Sequence, residues 1–107
     1  MRAAVITGYG GPEVLRVMDV PEPTPGYGEV MVDVVASALN RADLLQRMGL
    51  YPGPPMEHEV PGLEFAGRVS ALGDGVSRWS EGDTVMGITG GAAHAERLVV
   101  NADQAVR

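Results

Sequence analysis

Glu29-Val30-Met31-Val32-Asp33-Val34-Val35-Ala36-Ser37 carries the cleanest structural signal in the chain. Val30, Val32, Val34 and Ala36 recur at a period of two and share one face. Asp33 and Ser37 fall on the other, which is the pattern of a half-buried strand. Upstream, Pro21-Glu22-Pro23-Thr24-Pro25-Gly26-Tyr27-Gly28 reads as an extended connector ending in a turn, because proline fixes φ and removes donors. Downstream, Asn40 is placed to cap a short helix, with Asp43 in its first turn and Arg47 near its end. Leu44, Leu45 and Met48 form the expected apolar stripe of that helix, and Gly49 its stop.

The same reading extends to both ends. Strands are predicted over 2–7, 14–20, 64–72, 83–89, 94–100 and 104–106. Gly8-Tyr9-Gly10-Gly11-Pro12 must be a loop, and Gly73-Asp74-Gly75 and Glu81-Gly82-Asp83 supply turns. Residues 50–62, with four prolines and two glycines, read as a long loop of the kind that is often functional. Fifteen valines against eight leucines favour a pleated, half-buried surface. Short strands separated by glycine and proline indicate a mainly β sandwich or barrel.

A length of 107 residues fits one domain. Without cysteine there is no disulfide scaffold, no thiolate nucleophile and no Cys-ligated metal. Two histidines, His58 and His94, are too few for a multi-histidine metal cage, so no metal site is expected. A net charge of −6 argues against a nucleic-acid partner, whose phosphates need a basic footprint. No apolar run approaches the roughly 20 residues that span a bilayer, so no membrane partner is expected. The N-terminal stretch is too soon interrupted by glycine for a secretory signal. The chain reads as a soluble, cytoplasmic domain.

Few residues carry chemistry. Gly8, Gly10 and Gly11 follow a strand, but Pro12 and another strand come next, so a hairpin loop fits better than a phosphate cradle. His94 reads as a solvated or hydrogen-bonded strand residue, and His58 as a solvated loop residue between Glu57 and Glu59. Glu64, between Leu63 and Phe65, is expected to be partly buried and to need a partner. Trp79 reads as an anchor of a turn against the core. Asn40, Asp43 and Tyr51 form a more interesting group. Asn40 offers an amide to a carbonyl or carboxamide, and Tyr51 a phenolic proton to a developing oxyanion. By their residue types alone, two caps and a covering tyrosine explain them better.

Ser37-Ala38-Leu39-Asn40-Arg41-Ala42-Asp43 changes that balance. With Gly10-Gly11-Pro12-Glu13-Val14-Leu15, Pro25-Gly26-Tyr27-Gly28-Glu29-Val30, Pro61-Gly62-Leu63-Glu64-Phe65-Ala66-Gly67-Arg68-Val69 and Gly82-Asp83-Thr84-Val85, it resembles the zinc-independent medium-chain dehydrogenase/reductases, specifically the zeta-crystallin-like quinone oxidoreductases. These stretches occur in order and cover nearly the whole chain. The resemblance implies a GroES-like, partly open β-barrel with one or two short helices, acting as the N-terminal catalytic, substrate-side domain. It implies NADPH as cofactor, a quinone or other small electrophile as substrate, and a homodimeric parent enzyme. In the zinc alcohol dehydrogenases of the superfamily, cysteine stands in place of Asn40 and histidine in place of Leu63, so zinc is not expected. The resemblance places Tyr51 to orient or protonate the quinone oxygen, Asn40 to position nicotinamide or substrate, and Asp43 to hold the local network. Glu64 stays a structural residue.

The nucleotide-binding Rossmann domain that follows this barrel in the family is not among residues 1–107, which contain no βαβ unit with a Gly-rich turn. The expectation is therefore the catalytic domain, or a truncated product, of an NADPH-dependent quinone oxidoreductase, inactive alone. Two other readings stay open. One is a stand-alone GroES-like binding or assembly module that uses the 50–62 loop as an arm. The other is a domain of a related enoyl or alkenal reductase.

Overall fold

The computed structural model describes residues Met1–Arg107. Its elements are β1 (Arg2–Ile6), a 3-10 turn (Pro12–Val14), β2 (Leu15–Asp19), β3 (Glu29–Ala38), α1 (Arg41–Arg47), β4 (Glu64–Leu72), β5 (Thr84–Ile88), β6 (Arg97–Asn101), a second 3-10 turn (Ala102–Gln104) and β7 (Ala105–Val106). β1 and β2 pair as an antiparallel hairpin, and the other strands form an antiparallel sheet in the order β6-β3-β4-β5-β7. That sheet curls into a half-barrel, the GroES-like, mainly β architecture expected from the sequence.

β3 is the spine of the sheet because both of its edges are paired. Val32 is the register partner of Val69 on β4 and of Leu98 on β6. All three are buried, as is Val30, so the period-two pattern does select the core there. The pattern then breaks. The register slips between Val34 and Ala36, and Val35 is 77% exposed. An extra residue in one strand bends it and shifts its alternation, and Ala36 leaves the buried face assigned to it above.

β6 begins at Arg97, not at residue 94. Ala92 adopts a positive φ of 73°, which turns the chain before a ladder can form. Residues 94–96 instead reach across to β1, through one bridge between Ala3 and Ala95 and through hydrogen bonds from Ala4 N to His94 O at 2.9 Å and from Glu96 N to Arg2 O at 3.1 Å. These bonds join the hairpin to the barrel.

α1 forms where the capping pattern put it and stops at Gly49, whose φ of 81° suits glycine. Its buried face is not the expected one. Asp43 and Gln46 are 9% and 1% exposed, whereas Leu44 and Met48 are 48% and 42% exposed. The helix lies on polar partners. Gln46 donates to Glu59 Oε2 at 2.9 Å and Asp43 accepts from His94, so burial is compensated by hydrogen bonds. Trp79 anchors its turn as expected, buried and donating through Nε1 to the Ala102 carbonyl at 2.9 Å.

Candidate functional site

The end of β3 and the start of β4 set the site. Ala38 is the register partner of Glu64, so Asn40, two residues further on, arrives beside the Glu64 carboxylate. Asn40 Nδ2 donates to Glu64 Oε2 at 2.7 Å. This is the partner that a half-buried carboxylate between Leu63 and Phe65 requires. Asn40 also occupies the N-cap of α1 in an extended conformation, φ −129° and ψ 156°. Its backbone N–H donates to Asp43 Oδ2 at 2.9 Å, the return arm of a capping box. Leu39, 87% exposed, and Ile88, 70% exposed and the register partner of Glu64, flank the pair with apolar surface.

Behind Asn40, a second polar chain runs inward. Asp43 Oδ2 lies 3.1 Å from His94 Nε2, and His94 Nδ1 lies 2.8 Å from Ser37 Oγ. His94 is held by its backbone from two sides. Its N–H donates to Pro61 O at 3.0 Å, and its carbonyl accepts from Ala4. The Pro61–Gly62 corner is what allows this approach. Gly62 has φ 116°, and a Cβ there would lie 2.6 Å from His94 N. The Asp43 carboxylate accepts from both Asn40 N and His94, so Nε2 carries the proton. In the neutral ring Nδ1 is then bare, and the Ser37 hydroxyl donates to it. Asp43 Oδ1 is buried without a partner.

Asn40 and Asp43 thus share a hydrogen bond, the contact of the capping box. Tyr51 is 38% exposed on the 50–62 loop, just past Gly49, and no hydrogen bond ties its hydroxyl to Asn40, Asp43 or Glu64. The loop itself is tied down from the other side. Glu59 accepts from Gln46, its second oxygen lies 3.4 Å from the Tyr9 hydroxyl, and its carbonyl accepts from Ile6 N at 2.8 Å. His58 sits on that loop 3.9 Å from Glu57, outside the network. The sequence places Ser37 only on the polar face of a strand. Its link to His94 spans 57 residues and leaves no local signal.

Comparison with known proteins places this arrangement. Residues 26–107 match the alcohol dehydrogenase GroES-like domain family. The chain is 43% identical over 96 residues to the human synaptic vesicle membrane protein VAT-1 homolog-like protein, covering 90% of this chain and 23% of that one. It is 40% identical over 86 residues to the quinone oxidoreductase of Lama guanicoe, covering 79% of this chain and 26% of the relative. The crystal structure of Escherichia coli quinone oxidoreductase complexed with NADPH superposes with a TM-score of 0.91 at 33% identity, over 99% of this chain and 32% of the other. The chain therefore spans about a quarter of the length of the curated relatives it matches. No helix is long and apolar enough to cross a membrane.

Proposed function

Because this chain belongs to the alcohol dehydrogenase GroES-like domain family, we propose that it is the substrate-side catalytic barrel of a cytoplasmic, zinc-independent oxidoreductase that reduces quinones with NADPH. The observation that carries the reading is the Asn40–Glu64 hydrogen bond at the open end of β3 and β4. An oriented amide with apolar surface on either side suits a flat ring that bears a carboxamide or carbonyl. The similarity to quinone oxidoreductases, one of them in complex with NADPH, supports the substrate and cofactor.

The donor set does not suit zinc. Asn40 offers a weakly ligating amide that is already engaged, Leu63 offers an alkyl chain, and His94 is committed to Asp43 and Ser37. No three His, Asp or Glu side chains converge on a common point.

When bound, NADPH would supply the hydride. The roles of this chain's residues are then binding, orientation and proton delivery. Asn40, its amide held by Glu64 through Nδ2, accepts a carboxamide N–H at Oδ1 or donates the second Nδ2 proton to a quinone oxygen. Asp43 keeps the first turn of α1 in register with that amide. Tyr51 reaches the quinone oxygen from the loop and hands it the proton that completes the hydroquinone. These residues form no βαβ unit with a Gly-rich turn to hold the cofactor's phosphates, and we expect the 107 residues alone not to turn over.

The test is a chimera in which this chain replaces the matching barrel of the Escherichia coli enzyme. Quinone-dependent NADPH oxidation is expected, with a lower kcat for Tyr51→Phe and for Asn40→Ala. Variants as fast as the parent chimera would remove Tyr51 and Asn40 from the site.

A further inference from the structure

Ser37, His94 and Asp43 stand in the order nucleophile, base and orienting carboxylate. Ser37 Oγ is 2.8 Å from His94 Nδ1, and His94 Nε2 is 3.1 Å from Asp43 Oδ2. The ends of the relay differ in the way such chemistry needs. The Asp43 and His94 side chains are 9% and 14% exposed, so their interaction is weakly screened. Ser37 is exposed and opens onto a shallow groove between β1 and β3, bordered by Ala4, Val17, Val34 and Arg2. The capping of α1 uses the Asp43 carboxylate but needs neither His94 nor Ser37.

The geometry points to Ser37 as a nucleophilic hydroxyl that accepts an acyl group from activated carboxylic esters, separately from the redox chemistry around Asn40. Ser37 Oγ attacks the ester carbonyl carbon while its proton passes to His94 Nδ1. Asp43 steadies the imidazolium through Nε2–H. Arg2 and Glu96 both border this groove, with the Glu96 carboxylate accepting from the Arg2 backbone N–H, and the Arg2 guanidinium, which pairs with no carboxylate, is the group that favours the developing oxyanion. The bond from the carbonyl carbon to the alkoxy or aryloxy group breaks, and that group leaves with the proton returned from His94. The product is the Ser37 ester, and no oxidant or reductant takes part.

The chain as it stands permits a clean test because it has no cysteine. p-Nitrophenyl acetate is incubated with the wild-type chain and the acetyl group is located by mass spectrometry. It is expected on Ser37 ahead of the exposed Ser77 and Ser80. In parallel, S37C and S77C each carry a single thiol, whose alkylation by iodoacetamide is timed at neutral pH. The relay predicts S37C to react about tenfold faster than S77C, since a paired imidazole raises the thiolate fraction. H94Q in the S37C background should erase the advantage. If H94Q fails to fold, the comparison of S37C with S77C decides alone. An unmodified Ser37 in the wild-type chain, or equal rates for the two thiols, overturns the proposal.

Discussion

The Asn40 amide donates to the Glu64 carboxylate across 2.7 Å, joining the N-cap of α1 to the first residue of β4. A helix start and a strand start are thereby fixed to one another at the open end of the half-barrel. The bond is charge-assisted and partly buried, so it contributes more than an ordinary surface contact.

Removing the amide leaves a half-buried carboxylate unpaired. Asn40→Ala is expected to lower unfolding stability by about 1–3 kcal/mol, the cost of an unsatisfied buried polar group. Glu64→Ala removes the charge itself and leaves only the neutral Asn40 amide without its acceptor, so it should cost less. A double-mutant cycle by urea unfolding should return a coupling of about 1 kcal/mol. Additive effects would mean that the two side chains do not depend on one another.

The two faces of α1 should respond in opposite ways. Leu44→Gln and Met48→Gln alter exposed positions and should change stability by less than about 0.5 kcal/mol. Gln46→Ala leaves the Glu59 carboxylate only its long bond from the Tyr9 hydroxyl and should cost at least about 1 kcal/mol. Thermal melts of the three variants check this. The reverse ranking would restore the apolar stripe as the buried face.

Gly62→Ala forces a Cβ against the His94 backbone at a φ of 116°. Strain of this kind costs about 1–3 kcal/mol. It should also move His94, so the ring resonances of His94 should shift in the variant. Unchanged His94 resonances would mean that the corner does not position the ring.

How far this was legible in the sequence depends on the range of the signal. The β3 alternation predicts a strand, and Val30 and Val32 sit in the core as it requires. The alternation carries no notice of the bulge at Val35, which depends on pairing with β4. The Asn40 and Asp43 spacing predicts the capped helix start, because capping is settled within four residues. Which face of α1 is buried depends on Glu59 and His94, both distant in sequence, and a stripe read from the helix alone points the wrong way. Glu64 announces its need for a partner through its apolar neighbours, but not that Asn40 meets it. The Ser37–His94 contact depends on the Pro61–Gly62 corner, and no spacing rule connects residues 57 apart.

The isolated 107-residue chain, mixed with NADPH and 1,4-benzoquinone, is expected to show no rate above the uncatalysed reaction when absorbance at 340 nm is followed. A protein-dependent rate that scales with chain concentration would place the whole active site within these residues.

The most direct test of the central claim follows NADPH consumption by the chimera that carries this barrel on the Escherichia coli enzyme, with and without 1,4-benzoquinone and after treatment with a zinc chelator. The account predicts oxidation that requires the quinone and is unaffected by the chelator. A folded chimera that binds NADPH but reduces no quinone, or one that the chelator silences, would contradict it.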